Sequence, residues 1–272
     1  MQKGVLYGVG TGPGDPGLVT RRAWQLICDA KTIAYLAPDT GDSFARSIVA
    51  DAIAADAEEI ILRVPMRPGR APAQSIYDDG ADQIAARLEA GQDVVMLCEG
   101  DPLFYGSFMY ILARLKTVFS VRVVPGVTSM TACAAAHLHP LVARNDMMTI
   151  LPAPLDDDAL RQAIIAADAV ASMRLGAHMP RVRALPTAPG LAESARHEAI
   201  VAPDGVAIMK LGRHMPRLRA LLTDLGLAES TLYVSHASLE RQFSCALHEA
   251  PDDAPYFSML LLYKGQDPWI RT

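Results

Sequence analysis

Two kinds of apolar pattern alternate along the first half of the chain. Short continuous apolar runs at 5–9, 32–36 and 94–98 stand between longer stretches with helical spacing. Leu18, Ala23, Leu26, Ile27 and Ala30 share one face of a helix predicted over 18–30. Further helices are predicted over about 43–55, 73–90, 106–115 and 130–137, and strands over 59–64 and 121–124. The run at 94–98 has no polar interruption, as expected of a strand covered on both faces of a parallel sheet. The repeated strand–loop–helix order predicts an α/β fold, with ligands beyond the C-terminal strand ends.

Residues 138–146 read as a connector, after which a new set begins with a strand at 148–151 and closes with one at 257–263. The pattern therefore predicts two domains, 1–144 and 145–272, with the boundary near Arg144. The second contains a tandem duplication. Residues 159–194 align with 195–230 at a constant offset of 36, and 23 of the 36 positions are identical. Two copies are too few for a solenoid, so this is a local duplication. The first copy carries Pro186 and Pro189 where the second has Leu222 and Leu225. A proline inside a helix costs about 3 kcal/mol, so the second copy is expected to keep the longer helix.

Composition narrows the class. The chain of 272 residues is 51% apolar and 20% charged, with a net charge of −5. That is a globular profile, without the basic excess of a nucleic-acid binder. No apolar run has the length of a membrane span and no signal peptide is evident, so neither a membrane nor a nucleic-acid partner is expected. Cys28, Cys98, Cys133 and Cys245 share no metal-ligand spacing. They read as buried free thiols in a reducing cytoplasm, with no metal site.

Three strand ends carry the candidate chemistry. The first is the string from Gly8 to Pro16, with four glycines and Pro13. It is a ligand loop or a tight turn. It lacks the Gly-Lys-Ser/Thr ending of a P-loop, and Pro13 argues against a dinucleotide fingerprint. The second is Glu99-Gly100-Asp101-Pro102 followed by Phe104 and Tyr105, where Asp101 could serve a polar ligand or only cap the turn. The third is Pro125-Gly126-Val127-Thr128-Ser129, whose hydroxyls could equally be a helix N-cap. In a parallel sheet the three would lie on one edge.

These strings resemble the tetrapyrrole (corrin/porphyrin) methylase family, and the resemblance continues through Ala207-Ile208-Met209-Lys210-Leu211-Gly212-Arg213 and Pro255-Tyr256-Phe257-Ser258-Met259. It covers nearly the whole chain; the departure is the duplication. The resemblance implies two α/β domains of the tetrapyrrole methylase type with the cofactor cleft between them, S-adenosylmethionine as cofactor, a tetrapyrrole of cobalamin biosynthesis as substrate, and a homodimer. It implies cofactor contacts at Pro13, Glu99, Gly100, Asp101, Thr128, Ser129 and Met209, with the segment Ser235-His236-Ala237 beside them and Phe104 and Tyr105 as walls. Met209 is preferred to its copy Met173, because the second copy keeps Lys210 and Arg213 and runs on into Tyr233-Val234-Ser235-His236.

Such a substrate carries many carboxylates, which Arg67, Lys210 and Arg213, with Arg70 and Arg217, could grip. Asp15, Glu99 and Tyr105 are the candidates for moving a proton, and each has an equal structural reading. The matching His178 and His214 read as helix-start residues. Competing readings are a sister methylase of a cobalt-loaded or other precorrin, a nucleotide-dependent oxidoreductase, and an inactive cofactor-binding protein.

Overall fold

The computed structural model describes residues 2–65, 71–138, 140–142, 148–152, 158–159, 161–162, 169–173, 205–209, 215–255 and 258–262. The chain forms two compact units, divided between Ser129 and Met130. Arg144 lies outside the described residues.

The first unit is a parallel five-stranded sheet in the order β3-β2-β4-β1-β5. Its strands are β1 (Val5–Gly10), β2 (Thr32–Pro38), β3 (Glu58–Val64), β4 (Val94–Cys98) and β5 (Ser120–Val124). Because side chains alternate across a strand, one apolar run serves two cores. Val94 and Met96 pack with Ile84, Leu88, Phe108 and Ile111, from α3 (Ala71–Glu89) and α4 (Phe108–Leu115). Val95 and Leu97 pack on the opposite face with Ala23, Ile27 and Ile48, from α1 (Arg21–Asp29) and α2 (Phe44–Ile48).

Two predicted helices are shorter than expected. A 3₁₀ turn at Pro16–Leu18 precedes α1, which starts only after Thr20 accepts a hydrogen bond from the Ala23 amide. The helix predicted over 43–55 ends at Ile48 and gives way to a 3₁₀ turn at Ala50–Ala52. Helical spacing of apolar residues cannot distinguish one continuous helix from two short turns. The cysteines need a correction too. Cys98 and Cys133 are buried, but Cys28 is exposed on the outer face of α1 and Cys245 is half-buried.

A polar cluster joins α2 to the sheet. Glu59 on β3 accepts two hydrogen bonds from the Arg46 guanidinium, both at 3.0 Å, and one from the Tyr35 hydroxyl at 2.5 Å. The Arg46 guanidinium holds the Glu59 carboxyl below the ordinary carboxylate range. Burial pushes the Tyr35 phenol up. A depressed carboxyl stabilises the fold above its unfolded pKa, and this contribution fades as pH falls through the folded value. Glu59→Gln is therefore expected to lower stability at pH 7 by about 1 kcal/mol for a half-exposed bidentate pair. The gap between variant and parent should close as the medium is acidified below about pH 4, as measured by urea unfolding across pH.

The second unit is a six-stranded mixed sheet in the order β10-β9-β11-β8-β7-β6. Its strands are β6 (Met148–Pro152), β7 (Ala169–Met173), β8 (Gly205–Met209), β9 (Thr231–Ser235), β10 (Phe243–Ala246) and β11 (Ser258–Leu262). β6, β7 and β8 run parallel, while β11 is antiparallel to both β8 and β9. β8 and β9 therefore run the same way, and their C-terminal ends share one sheet edge. α5 (Ser129–His137) enters this unit, and α6 (Met215–Asp224) packs Met215, Leu218 and Leu222 on Tyr233 and Leu260. Arg219 on α6 ties down the following chain through the carbonyls of Leu247 and Ala250 and the carboxylate of Asp252. No described helix is long and apolar enough to cross a membrane.

Candidate functional site

The neighbouring strands β4, β1 and β5 end at one level, with Gly10 beside Cys98 and Val9 beside Val124. Their three loops therefore leave the sheet side by side, as the glycine and proline punctuation predicts. What the sequence does not show is how tightly they are stitched. The Gly12 amide bonds the Gly100 carbonyl at 3.3 Å, and the Gly100 amide bonds the Gly12 carbonyl at 2.9 Å. The fully buried Thr11 sends both its amide (2.8 Å) and its hydroxyl (3.1 Å) to the Cys98 carbonyl.

Asp101 connects the second loop to the third. One carboxylate oxygen accepts from the Leu103 amide at 2.9 Å, closing its own turn. The other accepts from the Gly126 amide at 3.0 Å, 25 residues away. Of the two readings left open for Asp101, the turn cap is present, and the same carboxylate also bridges two loops, which neither reading included. Two glycines permit the approach. A Cβ on Gly126 would stand 1.9 Å from the Gly100 carbonyl oxygen, and one on Gly10 would stand 2.5 Å from the same atom. Gly100 itself has φ +61°, a conformation that side chains strain.

The junction presents a partly open rim. Pro13, Gly100, Asp101, Phe104, Tyr105, Thr128 and Ser129 are half-buried, and Glu99 is exposed. The space beside Gly100 is bounded by the Val127 carbonyl at 3.8 Å and the Thr128 Cα at 4.0 Å from where a Cβ would stand. Backbone and hydroxyl groups around such a gap suit a polar, nucleoside-like ligand. Phe104 and Tyr105 stand edge to face with ring centroids 5.3 Å apart. Tyr105 holds φ +55°, which is uncommon for a bulky residue and marks a constrained turn.

The proton-handling candidates differ in their commitments. Asp15 caps the 3₁₀ turn after the first loop, with Oδ1 accepting from the Gly17 amide at 2.7 Å. Glu99 and Tyr105 sit on the rim. The Cys98 thiol beneath is pushed up, chiefly by burial and further by the charges of Glu99 and Asp101, so it is no nucleophile. Cys133 is pushed up to about 12 by burial.

In the second unit, Met209 ends β8 beside Met259, which in turn faces Val234 next to Ser235 at the end of β9. His236 follows with φ +51°, and burial together with Arg241 lowers its imidazole pKa. Met173 ends β7, one strand further from β9. Arg217 is half-buried on α6. Arg67, Arg70, Lys210, Arg213, His178 and His214 lie outside the described residues. Thr11, Gly12 and Gly126 belong to the loops singled out in the sequence, but their bonds across the junction were not legible there; the glycine spacing was the available signal. Among the described residues there is no cluster of three or more metal-ligating side chains.

Residues 5–250 match the family described as Tetrapyrrole (Corrin/Porphyrin) Methylases. The chain is 33% identical, over 97% of both chains, to a precorrin-2 C(20)-methyltransferase of a Sinorhizobium species. It is 30% identical to the cobalt-precorrin-2 C(20)-methyltransferase of Salmonella typhimurium, over 71% of this chain and 81% of that one. Its fold matches a uroporphyrin-III C-methyltransferase from Thermus thermophilus complexed with S-adenosylhomocysteine. That match has a TM-score of 0.57 and 19% identity, and covers 99% of this chain and 96% of the other.

Proposed function

The chain belongs to the tetrapyrrole (corrin/porphyrin) methylase family, a family of S-adenosylmethionine-dependent methyltransferases, and from this premise we propose that it methylates precorrin-2 at C20 to give precorrin-3A in cobalamin biosynthesis. The observation that carries the reading is the stitched junction of three strand-end loops, which offers a rigid rim of backbone and hydroxyl groups.

The residues present fit S-adenosylmethionine. The proposed contacts are Gly100, Asp101, Thr128 and Ser129 beside the turn, with Pro13 and Glu99 next to them and Phe104 and Tyr105 as flat apolar walls. Met209 is a further proposed contact. When bound, the cofactor supplies an electrophilic methyl group on a sulfonium. The protein's own task is alignment, because donor and acceptor must be held about 3–3.5 Å apart and in line with the leaving sulfur. Loops locked by the Gly12–Gly100 and Asp101–Gly126 bonds suit that task, since a misplacement of about 1 Å can cost 10²-fold.

The acceptor meso carbon of a precorrin is already electron-rich through its conjugated pyrrole nitrogens. No strong base is needed for bond formation, and one is needed only to take the proton released afterwards. Glu99 and Tyr105, on the rim, are better placed for this than Asp15, whose carboxylate holds a turn. Arg67, Lys210 and Arg213 are the proposed grips for the substrate's carboxylates. Functionally, 1–144 carries the three loops and 145–272 the duplication, with α5 as the element on which this division and the compact units differ. The protein is proposed to work in the cytoplasm as a homodimer.

Incubation with precorrin-2 and S-adenosylmethionine bearing a ¹³C-methyl group should place the label at C20, read by NMR. Parallel incubation with cobalt-loaded substrate distinguishes the Salmonella-type specificity. Absence of turnover with any tetrapyrrole would overturn the reading, and calorimetric binding of NAD(P) in place of S-adenosylhomocysteine would favour an oxidoreductase.

A further inference from the structure

The 36-residue duplication meets itself in the second sheet. β7 belongs to the first copy and β8 to the second, and they are hydrogen-bonded neighbours in parallel. Their register pairs Ala169 with Gly205, Val170 with Val206, Ala171 with Ala207 and Ser172 with Ile208. Each of these offsets is 36, the offset of the sequence repeat. Every described residue of β7 paired with β8 therefore stands beside its own duplicate.

Geometry makes such a strand easy to accept and easy to lose. β6, β7 and β8 all run in one direction, so inserting or removing β7 reverses no other strand. Met148 of β6 faces Ala169, and Ala169 lies level with Gly205. With β7 gone, β6 could pair with β8 in the register it now uses with β7. One strand spacing of about 4.8 Å would close.

A second observation points the same way. Arg161 of the first copy forms an ion pair at 2.7 Å with Asp224 on α6 of the second. The repeat places His197 where the first copy has Arg161, and Ala188 where the second has Asp224, so neither copy can make this pair within itself. The outer halves of the duplicated block are already joined across its interior.

We infer that β7 is a surplus copy of β8, accepted as an extra strand, and that the working second unit is the five-stranded arrangement β10-β9-β11-β8-β6. Its strand-end edge is then set by β8 and β9, whose ends at Met209 and Ser235 flank β11, and not by Met173.

Two deletions test this in the otherwise intact chain. Removing 169–204 joins Asp168 to Gly205 and keeps the native Asp-Gly step before β8. Removing 174–209 joins Met173 to Lys210 and leaves β7 in the place of β8. Each removes 36 residues. The inference expects the chain lacking 169–204 to be soluble, to unfold cooperatively, and to bind S-adenosylhomocysteine within about threefold of the parent. Failure of that chain to fold, or loss of its binding while the parent binds, overturns it, and so does a result in which only the chain lacking 174–209 keeps fold and binding. The inference rests on the cofactor reading only for the binding arm. A parent that binds no S-adenosylhomocysteine defeats that reading, while the folding of the deleted chains still decides the status of β7.

Discussion

Replacing Gly126 with alanine is expected to remove cofactor binding and to destabilise the first unit by about 3 kcal/mol, the upper end for overpacking a site that cannot yield. The new methyl would stand 1.9 Å from the Gly100 carbonyl oxygen and 2.9 Å from the Gly10 Cα. Both obstacles are backbone, so no side chain can swing aside. The third loop must lift away, breaking the bond from the Gly126 amide to Asp101. Gly10→Ala strikes the same junction from the first loop and should show a similar loss. The double variant should be far from additive, because either change alone separates the loops. A control is Gly226→Ala, where a Cβ meets nothing within 4 Å but φ is +70°. It should lower stability by about 1 kcal/mol and leave binding unchanged. Thermal unfolding and titration calorimetry with S-adenosylhomocysteine read the two effects separately.

Removing the Asp101 carboxylate is expected to have the next largest effect. Asp101→Ala deletes two hydrogen bonds to a charged acceptor, each worth about 1.5–3 kcal/mol. One loss is local to the turn at Leu103, whereas the other uncouples the second loop from the third. S-adenosylhomocysteine affinity should fall about 100-fold, equivalent to about 2.8 kcal/mol. Asp101→Asn should be nearly as damaging, since an amide can accept only through its oxygen while two backbone amides point at the side chain. If Asp101 were a turn cap alone, stability would fall by about 1 kcal/mol and affinity would not move.

The contrast between these residues shows what was legible in the sequence. The alternation of apolar runs with Gly/Pro strings announced the parallel sheet and its three exits, because burial on both faces leaves β4 no polar position. It also announced that the exits share an edge. The bond from the Gly126 amide to the Asp101 carboxylate was not legible, since it joins residues 25 apart through strand order, and strand order is not written in local pattern. For the same reason the cluster of Tyr35, Arg46 and Glu59 escaped notice, each residue being ordinary in its own segment. Thr11 escaped because a hydroxyl beside four glycines reads as loop chemistry, whereas it is fully buried and bonded to β4. The duplication was plain in the sequence. That its two strands would become in-register neighbours was not, because an offset in sequence does not dictate a pairing in space.

The central claim is that the loops after β1, β4 and β5 form the S-adenosylmethionine site. A crystal structure of the full chain with S-adenosylhomocysteine tests it most directly. The ligand is expected against Gly100, Asp101 and Thr128 at the C-terminal edge of the parallel sheet. Ligand density elsewhere, with that edge bare, would contradict it.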